Sequence, residues 1–227
     1  ADLKGNIRKK LTDAPGYDAE ATVSPKGDKI VFTSVRNGDI DLYVMDTDGS
    51  NLHQVTNELG YDGGAFFSQD CSKLVWRASR PKPGKELEEY RELLKQHLVR
   101  PSKLEIWTAN ADGTNARQVT RLHAASFAPY FTPKADRILF SSNFEDAKGR
   151  SFAIYSIRTN GTGLEKVISS GVFDGFPMFS PDGKKIAFSS NRSGRAPRET
   201  NVFVGFDGQV HVTGGDLQTE ILPILGV

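Results

Sequence analysis

Tyr17-Asp18, Tyr61-Asp62 and Phe173-Asp174 are three copies of an aromatic residue followed by an aspartate, and Glu20 stands two residues beyond the first. Carboxylates gathered from such copies would repel one another. A basic peptide, a terminal amine or a cation would relieve that repulsion. The same aspartates could instead accept hydrogen bonds from backbone amides where a strand begins, recurring only because the surrounding unit recurs. Both readings stay open at this level.

Other reactive side chains are scattered. His53, His97, His123 and His211 form no HxxxH or HExxH pair, and Cys71 stands in a turn where other copies of the unit carry glycine. No Gly-x-Ser-x-Gly elbow, phosphate loop or paired acid/base carboxylates occur, so no catalytic residue, metal site or cofactor is expected. Asp46 to Asn51, "DTDGSN", has the opening of a calcium loop, but its twelfth position is Asn57 rather than Glu, and hairpin-turn chemistry accounts for it. Arg36, Arg80 and Arg192 each lie twelve residues after a repeat anchor and are expected to pair with acidic neighbours in the adjacent turn. Two sequons, Asn160-Gly-Thr162 and Asn191-Arg-Ser193, fall in or near turns.

These residues are positioned by a repeat. The stretch "SPKGDKIVFTSVRNG" from Ser24 returns as "SPDGKKIAFSSNRSG" from Ser180, with equivalent anchors at Ser68 and Thr132. Anchor spacings are 44, 64 and 48, and the long interval contains "PKPGKELEEYRELLKQHLVRPSK", from Pro81 to Lys103, which has no counterpart. Each unit holds four short β-rich runs divided by turn residues, which predicts a four-stranded antiparallel meander. The Asp-Gly and Asn-Gly pairs at Asp48, Asp112, Asn160 and Asp207 supply tight hairpins. Sheets repeated at this period bury both faces by stacking radially, so the expected fold is an all-β propeller of about four blades in this chain, or part of a six-bladed disc. In that fold the aromatic–aspartate pairs ring one mouth of the central channel.

The units run over about 13-56, 57-120, 121-168 and 169-213 of a single domain. Residues 1-12 match the ending of a unit and predict a strand of a preceding or closing blade, and residues 214-227 form a tail. Leu87, Tyr90, Leu94 and Leu98, at spacings of three and four, predict an amphipathic helix within a helical insertion over about 83-100, leaving the blade after its second strand and lying on one face of the disc. Its apolar stripe either packs on the disc or meets a partner. An arc of blades without closure would expose apolar faces, which favours self-association or blades supplied by another chain.

The composition is that of a soluble globular chain, with 37% hydrophobic and 25% charged residues. A net charge of +1 provides no long-range attraction to nucleic acid, and no apolar run is long enough to span a membrane. The first residues lack the apolar centre of a signal peptide.

"FSPDGKKIAFSSNR" and "DLYVMDTDGSNLHQVT" together resemble the repeat of TolB-type β-propellers over nearly the whole chain. That resemblance implies six blades, a periplasmic or secreted location and a protein-binding disc without chemistry. The amino-terminal α/β domain of TolB has no counterpart here. The leading functional reading is a non-catalytic scaffold that holds a protein, a peptide or a glycan on its face or channel mouth, through Tyr17, Asp18, Glu20, Tyr61, Asp62, Phe173 and Asp174. The alternative is the substrate-gating propeller of a larger serine hydrolase or peptidase. A metal-dependent lyase on the propeller itself would need clustered histidines or carboxylates.

Overall fold

Residues of opposite preference alternate along each unit, and each unit folds as one small sheet. The computed structural model describes residues 1–100, 103–146, 148–194, 199–206, 209–212 and 215–220. The first sheet is β1 (Asp18–Val23), β2 (Lys29–Ser34), β3 (Asp41–Asp46) and β4 (His53–Gln54). In the second, β5 (Tyr61–Phe67) and β6 (Lys73–Ser79) are followed by the helix α1 (Lys85–Lys95), then β7 (Glu105–Asn110) and β8 (Arg117–Gln118). The third contains β9 (Ser126–Phe131), β10 (Arg137–Ser142), β11 (Ala153–Arg158) and β12 (Glu165–Ile168). The fourth contains β13 (Asp174–Phe179), β14 (Lys185–Ser190), β15 (Asn201–Phe206) and β16 (Gln209–Val212), and the tail adds a fifth strand, β17 (Gly215–Glu220). Within every sheet the strands lie in chain order and pair antiparallel. The chain is therefore a β-propeller of four blades, as the repeat predicts.

Turn chemistry sets the strand ends. The residue three beyond each anchor is left-handed in all four blades: Gly27 (φ 73°), Cys71 (63°), Ala135 (53°) and Gly183 (72°). The hairpin before the fourth strand repeats as well. Asp48, Asp112 and Asn160 each accept the backbone N–H two residues on, at 2.8, 3.0 and 3.0 Å, and the following glycine takes positive φ. "DTDGSN" is thus a turn of this kind. Asp207 lies outside the described residues.

Apolar side chains of each blade meet those of the next. Val31, Leu42 and Val44 of blade one pack with Phe67, Leu74 and Trp76 of blade two. Val75 and Ile106 pack with Phe131, Phe140 and Tyr155, and Leu139 and Ile154 with Ile186, Phe188 and Phe203. Each such side chain contributes about 1.5–3 kcal/mol on burial, so the blades stabilise one another rather than themselves. Inner strands pack in series, β1 on β5, β5 on β9 and β9 on β13. On the far face of blade four the pattern changes: Val202 is 52% exposed, whereas its equivalents Leu42, Ile106 and Ile154 are wholly buried.

The opposite face of blade one is covered differently. Ile30, Phe32, Tyr43 and Met45 are buried with Leu11 against them. Gly49 abuts the Leu11 carbonyl just as Gly113 abuts that of Val55 and Gly161 that of Val119. Residues 1–12 form no strand, but they take the place that the end of a preceding fourth strand takes elsewhere in the arc.

Candidate binding site at the inner rim

At the start of the first strand of blades two, three and four, one residue joins the preceding blade. Tyr61, Ala125 and Phe173 form parallel bridges to Ile40, Leu104 and Phe152. The next amide closes each junction, Asp62 N–H to Ile40 O at 3.0 Å and Asp174 N–H to Phe152 O at 2.9 Å. These bonds fix the rim on which the predicted site residues sit.

Two of the three aspartates are closed off from solvent. Asp62 and Asp174 are wholly buried, and each is held by the arginine eighteen residues on: Arg80 to Asp62 at 2.8 Å, Arg192 to Asp174 at 2.7 Å. Asp18 pairs likewise with Arg36 at 3.1 Å. The three arginines do pair with acids, but their common partner is the strand-start aspartate rather than a carboxylate in the adjacent turn. Arg80 also reaches Glu58 at 3.5 Å. Each guanidinium lies over aromatic rings of its own blade, Arg36 over Phe32 and Tyr43, Arg80 over Trp107, and Arg192 over Phe188 and Phe203. Trp76 Nε1–H donates to Asp62 at 2.5 Å, and the Ser170 amide and hydroxyl both donate to Asp174 at 2.7 Å. Burial pushes the Asp62 carboxyl up to about 6 against the opposing pull of Arg80.

Blade three omits both charges together. Ser126 replaces the aspartate and bonds Ser142 Oγ at 3.0 Å, and Phe144 stands where the arginine would be, its ring 4.9 Å from that of Tyr155. A buried acid and its arginine are therefore exchanged as a unit for a hydroxyl and a ring, which keeps an unpaired charge out of the core.

Glu20 is also engaged. It forms an ion pair with Arg77 and accepts from Tyr61 Oη at 3.2 Å, while Arg77 donates to Tyr61 Oη at 2.7 Å. Burial raises the Tyr61 phenol well above its ordinary value. The expected acidic opening is thus neutralised at all four of its carboxylates, because the chain places an arginine against each.

Aromatic surface remains at the rim. Phe127, Phe152, Phe173 and Phe176 form one cluster, with Phe127 and Phe173 stacked at 6.4 Å and Phe127 and Phe152 edge to face at 5.3 Å. Phe176 is 52% exposed and left-handed, at φ 57°. Its position is a bulge in all four first strands, also left-handed at Glu20, Gly64 and Ala128. Tyr17 is half exposed on the first blade.

No family model matches the chain. An uncharacterised protein of Agrobacterium fabrum is 22% identical over 119 residues, covering 52% of this chain and 34% of that protein. TolB from Acinetobacter baumannii superposes with a TM-score of 0.71 at 20% identity, over 93% of this chain and 47% of TolB. The fold is that of a TolB-like propeller. A putative TolB from Agrobacterium tumefaciens gives 0.64 at 19% identity, over 88% of this chain and 67% of that one. The acylaminoacyl peptidase of Pyrococcus horikoshii gives 0.58 at 16%, over 86% and 31%. The chain thus spans about a third of the curated relative and about half of the Acinetobacter TolB.

On this TolB-like disc the other candidates stay apart. His53 is exposed on β4, His97 follows α1 and His123 precedes β9, while the side chain of His211 lies outside the described residues. Among the described residues no three His, Cys, Asp or Glu side chains gather as a metal site. The sequence reading missed Phe127, Phe152 and Phe176. Phe127 and Phe176, five and four residues before their anchors, stood one or two positions beyond the quoted pairs. Phe152 stands directly before the third strand of its blade, where the other blades carry Ile40 and Leu104, an apolar position the reading did not single out.

Proposed function

We propose that this chain is a non-catalytic binding scaffold that holds a protein or peptide partner on the inner rim, in the periplasm or outside the cell. The observation that carries the reading is Phe176, a large apolar side chain that is exposed and left-handed on top of an aromatic cluster. The left-handed bulge is common to all four first strands, where it carries Glu20, Gly64 and Ala128 elsewhere; only here does it hold a large apolar side chain, half exposed above the cluster. The strand starts of blades one and four, held by aspartate–arginine pairs, present Tyr17 and Phe176 with little loss of freedom on binding. Exposed aromatics of this kind serve as interface anchors, each supplying about 2 kcal/mol, roughly thirtyfold in affinity. The resemblance to TolB repeats supports both the partner class and the location.

The test is capture from a periplasmic extract by the wild-type chain and by Phe176→Asp and Tyr17→Asp, with partners identified and their affinities measured. Loss of a defined protein partner on either substitution is expected. Capture of no protein, of a glycan alone, or of the same partners at unchanged affinity by both variants refutes the reading. A second reading, favoured by the likeness to the Pyrococcus peptidase, makes the disc the gate of a serine peptidase. A Gly-x-Ser-x-Gly elbow on an α/β-hydrolase segment of the same polypeptide would decide for it.

A further inference from the structure

We infer that the groove between α1 and the first blade seats a peptide segment of a partner protein in which a large apolar side chain is flanked by carboxylates. The inference rests on the reading of this end of the disc as a binding surface; it shares Tyr17 with the rim, but its deciding side chains, Arg91, Leu94 and Val99, belong to the insertion. The groove has a volume of about 940 Å³, at the upper end of the range for ligand sites. Tyr17, Val35, Ile40 and Tyr61 form its blade side, and Leu94 and Val99 its insertion side. The insertion is anchored rather than loose: Tyr90 Oη donates to Asp39, which also accepts from the Gly60 and Ile40 amides at 2.9 Å each. α1 nonetheless buries none of its residues fully, and beyond it Leu98 and Val99 remain exposed. The predicted apolar stripe is therefore only half used by the disc, which leaves apolar area for a ligand.

Charge selects what that ligand is. Arg91, Lys95 and His97 stand at the groove, and no Asp or Glu lines it among the described residues. Lys95 is paired with Glu92 at 2.6 Å, whereas Arg91 has no ion-pair partner among the described residues. An aspartate or glutamate beside the apolar anchor would complement Arg91. This sign is opposite to the one expected from the rim aspartates, which are neutralised within the blades. Gly16 and Gly38 border the groove without side chains, and a Cβ at Gly38 would meet nothing within 4 Å, so a peptide backbone can approach there.

Fluorescence polarisation on the whole chain tests this with three acetylated, amidated, fluorescein-labelled peptides: Gly-Glu-Leu-Phe-Glu-Gly, its Gln counterpart and its Lys counterpart. The acidic peptide should bind best, by about fivefold or more over the neutral one, and should weaken with salt. Arg91→Glu should abolish or reverse that order, and Leu94→Asp should remove binding. If Leu94→Asp fails to fold, Val99→Asp at an exposed position takes its place. Equal binding of the three peptides, preference for the Lys peptide, absence of saturable binding by the acidic one, or indifference to both substitutions overturns the inference. Phe176→Asp separates the two readings. Acidic-peptide affinity that falls with Phe176→Asp but not with Arg91→Glu places the peptide on the rim, which sinks the groove and keeps the scaffold. The reverse result confirms the groove.

Discussion

Removing one partner of the buried pair in blade four should destabilise the protein far more than exchanging both for what blade three uses. Arg192→Phe leaves the Asp174 carboxylate, which is wholly buried, with only Ser170 to oppose its charge. Asp174→Ser leaves the guanidinium stranded over Phe188 and Phe203, at 5.0 and 5.2 Å from their ring centres. Uncompensated buried charges cost about 3–5 kcal/mol, and the arginine here is nearly as buried as the acid, so each single substitution should cost about 3 kcal/mol. In a domain of this size that is a fall in Tm of roughly 6–12 °C. The double variant recreates the Ser126 and Phe144 arrangement, with the new ring able to pack on Phe203 as Phe144 does on Tyr155. It should be no less stable than either single variant, with a coupling of at least about 2 kcal/mol. Urea unfolding of the four proteins, with coincident fluorescence and circular-dichroism transitions, measures the cycle. Additive costs, or single variants within about 0.5 kcal/mol of wild type, refute the claim that these pairs are exchanged as units for electrostatic reasons.

Cys71→Gly should stabilise the protein slightly, by about 0.5 kcal/mol, since it relieves a left-handed non-glycine residue at a turn that is otherwise unchanged; a denaturant midpoint that falls would contradict this. Gly60→Ala should cost about 2 kcal/mol or more, because φ is 137° and the new Cβ would lie 2.2 Å from the Ser79 carbonyl oxygen; thermal melts check it. Burial pushes the Asp41 carboxyl up to about 6 from an ordinary 3.8, beyond the opposing hydrogen bond from Thr56. The folded chain therefore keeps that proton between those values while the unfolded chain has lost it. The stabilisation is complete below about pH 4 and disappears as pH rises through 6. The difference in stability between wild type and Asp41→Asn should shift within that window and be flat above it; a flat profile throughout would refute the assignment. Tyr90→Phe should leave global stability within about 0.5 kcal/mol of wild type yet raise amide exchange over α1, read by mass spectrometry, since it cuts the bond to Asp39.

Much of the architecture was legible in the repeat. A four-stranded meander and its turns depend on residues within a few positions of one another, so "SPKGDKIVF" and "DTDGSN" carry their own geometry wherever they recur. The helix was legible for the same reason, from Leu87, Tyr90 and Leu94 on one stripe. The site was legible only in part. The strand-start aspartates stood out as repeated positions, but their pairing did not, because the arginines that hold them lie eighteen residues away across a strand pair. Once that register is known, the absence of both Asp and Arg from blade three becomes a second, independent signal of the pairing. It was present in the sequence but had no meaning before the strands were aligned.

By itself, the sequence determined that four like sheets would form and that their faces would need neighbours, since alternation and turn residues act locally and apolar area must be buried. Tertiary structure alone decided which carboxylates keep their charge in the open, which aromatics stay uncovered, and where the insertion comes to rest. These outcomes are set by burial and by partners distant in the chain, and a charge or a ring changes its role with the dielectric and the neighbours that folding places around it.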